Sequence, residues 1–202
     1  MNTSNEKWIY LRNEIEHRGI YRVPQGQAAI PAKAANDSYH WQFYLRRCLF
    51  DPKFVTTAAE LLIEKLPHTN VQIGACEDAG VTLGFGMAQI LGSPMISLKK
   101  TRKSYGLLNF TEGRINGNPI LLVDDLAGSQ DTLKKSVRLL QAFNLPVADQ
   151  YIALIDKTVG THTENYLNQK QLISLFNCDD FSLMWNAYVA RYQRAPDFGP
   201  YY

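Results

Sequence analysis

The sequence predicts an α/β domain built on an open, mainly parallel sheet with helices on its faces. Three observations carry the expectation. Short, dense apolar runs recur at 71–76, 94–98, 119–123, 151–156 and 172–176, and runs without polar alternation belong to strands buried on both faces. Segments with helical spacing separate several of them, notably 80–92 and 132–143, as a β-α-β chain requires. The run at 119–123 ends in two adjacent carboxylates and a small-residue turn, "ILLVDDLAGSQDTL". In open α/β sheets ligands sit beyond the carboxyl ends of strands, where the strand order reverses.

Residues 4–19 read as a charged helix, and 20–40, with Pro24 and Pro31, as an irregular connector or hairpin. The stretch "HWQFYLRRCLF" (40–50) reads as a strand. Asp51 and Pro52 then open a helix over 52–66, proline being suited to a first helical turn. The small residues of 80–92, with glycines at 80, 84 and 86, suit close helix–sheet packing. Residues 99–118 read as a long polar loop, and 179–193 as a last helix. One domain is expected: an N-terminal helix and hood over 1–51, a core over 52–181, and a C-terminal helix and tail over 182–202.

Of the 202 residues, 46% are hydrophobic and 20% charged, enough for one sizeable core. The net charge of +2 creates no global field for nucleic acid or membrane, and neither is expected as a partner. Cys48, Cys76 and Cys178 show no metal spacing and no disulfide framework. The opening "MNTSNEKWIY" lacks the apolar core of a signal peptide, and no apolar run is long enough to span a bilayer. A cytoplasmic protein is expected.

Asp124 and Asp125 can accept hydrogen bonds from a vicinal diol such as that of ribose, or attract Mg²⁺, which prefers oxygen ligands. The turn 126–131 and a helix start at Thr132 follow one phosphate away, and free N–H groups there favour an anion. Ribose at the acids and phosphate at the helix start describe a ribose 5-phosphate site.

The stretch "LLVDDLAGSQDTL" resembles the phosphoribosyl-diphosphate (PRPP) motif of type I phosphoribosyltransferases. Further stretches resemble the orotate branch of that family. "ISLKKTRKSYG" (96–106) is similar to its lysine-rich mobile loop, and "TEGRINGNPILLVDD" to the run from that loop into the acidic strand. "FYLRRCLFDP", "IALIDKTVG" and "LISLFNCDDF" are similar to its entry and last strands, so the likeness covers roughly 40–181 in order. It implies the type I phosphoribosyltransferase fold and transfer of ribose 5-phosphate from Mg-PRPP to a nitrogen base, with release of pyrophosphate. It also implies a homodimer, because the loop often serves a neighbouring subunit's site. Asp124 and Asp125 take the ribose positions, with the metal reached directly or through water. Lys100 and Lys103 face the departing pyrophosphate. Leu126, Ala127, Gly128, Ser129, Gln130, Asp131 and Thr132 form the 5-phosphate turn, and Lys99, Ala79 and Gly80 the remaining PRPP contacts. Lys157 takes the acceptor side. Tyr105 and Gly106 also match the loop.

The chain departs from the pattern at three places. Gln130 and Asp131 stand where the family has glycine and a small residue. A carboxylate about 4 Å from a phosphate charge costs about 4 kcal/mol at an effective dielectric near 20, whereas Asp131 as an N-cap gains only about 0.5–2 kcal/mol. Ala79 stands for a lysine beside acidic Glu77 and Asp78. Lys157 stands for an arginine, and lysine is a point charge without bidentate geometry. His162, in a loop, is a candidate base or ligand. The competing expectation is a homologue with weak or lost chemistry that binds a nucleotide, a protein or nucleic acid.

Overall fold

A computed structural model describes residues 3–24, 30–31, 38–39, 41–99, 110–128, 130–157 and 170–181. The chain opens with helix α1 (Thr3–Glu14), which continues through a π-helical turn at Ile15–Gly19 and buries Leu11 and Ile15. The connector resolves into small antiparallel pairs. Strand β1 (Ile20–Arg22) pairs with β4 (Trp41–Phe43), and β2 (Ile30–Pro31) with β3 (Ser38–Tyr39).

The strand expected over 40–50 stops after three residues, and Arg46–Leu49 form the short helix α2. The buried residues Leu45, Cys48 and Leu49 are spaced i, i+3, i+4, a helical period rather than a strand's alternation. Helix α3 (Pro52–Glu64) begins as expected: the Asp51 carboxylate accepts the N–H groups of Lys53 and Phe54 at 2.9 and 3.4 Å.

The main sheet has six strands: β5 (Gln72–Cys76), β6 (Met95–Leu98), β7 (Thr111–Gly113), β8 (Ile120–Ala127), β9 (Val147–Asp156) and β10 (Gln171–Asn177). Their order is β10-β9-β8-β5-β6-β7, parallel except for the antiparallel edge strand β7. Strand β7 lies inside the stretch expected to be a loop. Helix α4 (Ala79–Leu91) follows β5, and α5 (Asp131–Ala142) follows β8. From β5 the chain moves one way to β6, and from β8 the other way to β9. The order therefore reverses between β5 and β8, whose carboxyl ends flank the ligand crevice of such folds.

Both faces of the sheet are covered. Helices α1, α3 and α4 pack with Ile73, Leu121, Val123, Ile152 and Leu154 on one side. Helix α5 packs with Leu122, Tyr151 and Ala153 on the other through Leu133, Val137 and Leu140. Alternate residues of one strand thus enter different cores. Glycines in α4 allow the approach: a β-carbon at Gly84 would lie 2.7 Å from the Ala75 β-carbon, and one at Gly86 2.5 Å from Val55. Helix α1 is tied to the far edge, where Trp8 Nε1 donates to the Leu175 carbonyl and Arg12 Nε to that of Asp180. The three cysteines are buried, and none forms a disulfide among the described residues. Cys178–Asp180 form a 3₁₀ turn, and the rest of the helix expected over 179–193 lies outside the described residues. No described helix is long and apolar enough to cross a membrane.

Candidate active site

The acidic pair does not end its strand. Strand β8 continues to Ala127 because the longer β9 offers partners that far: Asp124 is registered with Ala153, Leu126 with Ile155 and Ala127 with Asp156. Strand alternation then sends the two side chains to opposite faces. Asp124 is 8% exposed, and its Oδ1 accepts the N–H of Asp125 at 2.9 Å. Asp125 is half-buried.

Asp124 lies against the start of α4. A β-carbon at Gly80 would sit 2.8 Å from the Val123 carbonyl oxygen and 3.0 Å from the Asp124 α-carbon. Gly80 therefore serves by having no side chain. Ala79 is buried at the first position of α4. Of the acids before it, Asp78 is paired with Arg46 of α2 at 2.9 Å, so the N-terminal segment supplies a cation to the first core turn.

A cavity of about 190 Å³ opens at the carboxyl end of β8. Asp124 and Leu126 line it from the strand, Gly128, Gln130, Asp131 and Thr132 from the turn and helix start, and Lys157 from the end of β9. Asp125, Ala127, Ala79 and Gly80 are not among its lining residues. Ala127 is buried, and its carbonyl accepts the Lys157 N–H at 2.8 Å, fixing the acceptor-side residue to the acidic strand. The Lys157 ammonium lies 5.9 Å from the ring centres of both Trp41 and Phe43 on β4, within cation–π range. These rings escaped the sequence reading. The only trace of their shared role is the W-x-F alternation, which puts them on one face of a strand.

The turn corrects one expectation. Asp131 is the first residue of α5 rather than its N-cap, a place taken by Gln130 in the left-handed region at φ 59°, ψ 11°. The Gln130 side chain does not cap this helix, whose leading N–H groups have no acceptor within the helix itself. The Asp131 side chain is about half exposed and 3.9 Å from the Lys134 ammonium. Gln130 is 5% exposed, and its Oε1 is buried without a hydrogen-bond partner among the described residues.

Lys99 is held elsewhere. Its side chain, 5% exposed, pairs with Glu112 of β7, and its N–H donates to the Phe110 carbonyl. This cation anchors the root of the lysine-rich segment. Lys100, Lys103, Tyr105, Gly106, Ser129 and His162 lie outside the described residues.

No protein-family model matches the chain. The orotate phosphoribosyltransferase of Caenorhabditis elegans is 29% identical over 120 residues, 57% of this chain and 52% of that protein, so the matched stretch spans about half of that relative. The crystal structure of orotate phosphoribosyltransferase from Aeropyrum pernix superposes with a TM-score of 0.67 at 20% identity, covering 93% of this chain and 99% of that one. The Mycobacterium tuberculosis orotate phosphoribosyltransferase in complex with PRPP superposes at 0.64 and 14% identity, over 86% and 98% of the two chains. By sequence the chain is similar to the orotate phosphoribosyltransferases, and its fold is that of the type I phosphoribosyltransferases.

Proposed function

We propose that this chain transfers ribose 5-phosphate from Mg-PRPP to a nitrogen base, releasing pyrophosphate, as its orotate phosphoribosyltransferase relatives do by name. One observation carries the reading: Asp124, Gly128, Gln130, Asp131, Thr132 and Lys157 meet in a single cavity at the switch in strand order. A ribose lies with its hydroxyls toward the acids, its 5-phosphate toward the start of α5 and its C1 toward the acceptor. As the C1–O bond to pyrophosphate breaks and a ring nitrogen bonds to C1, positive charge grows on the ribose and negative charge on the leaving group. A carboxylate held in a buried position stabilises the first. Lys100 and Lys103, assigned from the sequence alone, stabilise the second more in the transition state than in the ground state.

Mg²⁺ would accompany the diphosphate, neutralising its charge. The carboxylate oxygens of Asp124, which lines the cavity, are the hard donors it prefers, and those of Asp125, on the opposite face of the strand, would be reached through water. Lys157 favours an anionic acceptor, consistent with a pyrimidine that carries a carboxylate. A homodimer in the cytoplasm is part of the proposal. Phe50 and Phe85, 73% and 61% exposed, stand beside an apolar groove of about 450 Å³ that a second copy could cover.

The test is pyrophosphate release from Mg-PRPP with a panel of bases, orotate first. Release that depends on the base and is lost in Asp124→Asn supports the proposal. PRPP binding with no release for any base would overturn it.

A further inference from the structure

The inference rests on the transfer reading and concerns the end of the site that receives the ribose 5-phosphate. Three observations converge on Gln130. Its backbone occupies the left-handed region, which glycine enters freely and a side chain does not. Its side chain is 95% buried by its 5% exposure, and it lines the cavity beside Asp124 and Thr132. Its Oε1 receives no hydrogen bond among the described residues, although buried acceptors are normally paired. Helix capping explains none of this, because the side chain makes no bond to the first turn of α5.

The space and the charge of the cavity agree. Pockets for ligands of drug size run from about 300 Å³ upward, and this one holds about 190 Å³. Its lining includes the acidic Asp124 and Asp131 and the amide of Gln130, with Lys157 as the cation among the lining residues. A phosphate dianion brings only acceptors, which the two carboxylates repel. The leading N–H groups of α5 are the natural partners of a 5-phosphate, and Gln130 directly precedes them as the N-cap residue.

We propose that the Gln130 side chain is a resident occupant of the 5-phosphate subsite, which makes this chain a weak discriminator between 5-phosphorylated and unphosphorylated ribosyl ligands. A phosphate enters only when the carboxamide swings out or turns its Nε2 toward the incoming oxygens. Glycine at this position would require neither movement.

The test is a ligand-observed NMR titration of the full chain with ribose 5-phosphate and with ribose, in parent, Gln130→Gly and Gln130→Ala. The quantity read is the ratio of the two affinities within one protein, which is insensitive to a lowered folded fraction. The parent ratio should be below about tenfold, and Gln130→Gly should raise it by about tenfold or more, equivalent to about 1.4 kcal/mol. Gln130→Ala should raise it less, since its methyl group still sits on a left-handed backbone. If neither variant binds the phosphorylated ligand better than the parent does, the side chain is no obstacle and the proposal falls. Mg-PRPP is titrated in parallel. PRPP binding without a gain in the variants sinks this inference and leaves the transfer reading standing. No PRPP binding and no pyrophosphate release in any of the three proteins sinks the transfer reading instead.

Discussion

Gly80→Ala tests the contact between α4 and the acidic strand. The added β-carbon would sit 2.8 Å from the Val123 carbonyl oxygen and 3.0 Å from the Asp124 α-carbon. Both are backbone atoms and cannot rotate away. Ordinary contact begins near 3.4 Å, so helix and strand must separate by 3.4 − 2.8, about 0.6 Å. Overpacking of this kind costs about 1–3 kcal/mol. Alanine returns up to about 1 kcal/mol through helix propensity, and less at a helix's second residue. The net loss is about 1–2 kcal/mol, each kcal/mol lowering Tm by about 2–4 °C for a domain of this size. The separation also moves the turn 76–80 relative to Asp124, and a misplacement of about 1 Å can cost about a hundredfold in rate. Turnover should therefore fall at least about tenfold. Gly84→Ala is the control, because its β-carbon would press on Ala75, 2.7 Å away and deeper in the sheet. It should lower stability similarly and spare turnover below its melting range. Denaturant midpoints and pyrophosphate release read the two effects separately. Unchanged stability and turnover in Gly80→Ala would refute the close-approach reasoning, and equal losses of turnover in both variants would refute its link to the site.

Gln72 is fully buried. Its Nε2 donates to the carbonyls of Pro94 and Arg114, and its Oε1 accepts the Asn116 N–H. Gln72→Leu should lower the free energy of unfolding by about 2 kcal/mol in denaturant titration, because three backbone groups lose their partner; a loss under about 0.5 kcal/mol would mean that water replaces the amide. The Arg18 guanidinium beside Asp51, at 2.6 Å, holds the Asp51 carboxyl below its ordinary value near 3.8. The stabilisation is therefore present above that value and is lost as pH falls through the lower folded value. Asp51→Asn should accordingly lose less stability than the parent between pH 7 and pH 3, and parallel curves would contradict this. Burial pushes the Cys48 thiol up to about 11 and that of Cys178 to about 12. Both should resist a thiol reagent at about pH 8 in the native protein and react in denaturant, and native labelling within minutes would show that the site opens.

The Lys99–Glu112 pair gives the lysine-rich segment a fixed root. It joins the last residue before that segment to the edge strand that follows it, and the Lys99 N–H bond to Phe110 closes the same gap. A positive charge that the sequence offers to pyrophosphate is thus shared with a carboxylate. The Asp78–Arg46 pair does the reverse at the β5–α4 turn, giving an acidic turn a cation from the N-terminal segment.

Sequence alone determined what local periodicity encodes. The dense apolar runs became β5, β6, β8, β9 and β10, and the spaced ones became α3, α4 and α5, because burial on two faces or one leaves a repeat within a few residues. The sequence also pointed to the end of this apolar run as the candidate site, and the cavity there is lined by Asp124 and the residues that follow it. Tertiary structure decided the rest, through pairing between residues far apart in the chain. Thr111–Gly113 has no apolar signal and is a strand only because β6 offers it an edge. Strand β8 runs through Asp124 and Asp125 because β9 pairs with it, and that pairing separates two neighbours onto opposite faces. Lys157 meets Trp41 and Phe43 across more than a hundred residues. The left-handed backbone at Gln130 runs against its residue type, so no propensity announces it. It is held by the turn from β8 to α5, whose geometry the packed sheet and helix impose on whichever residue stands there.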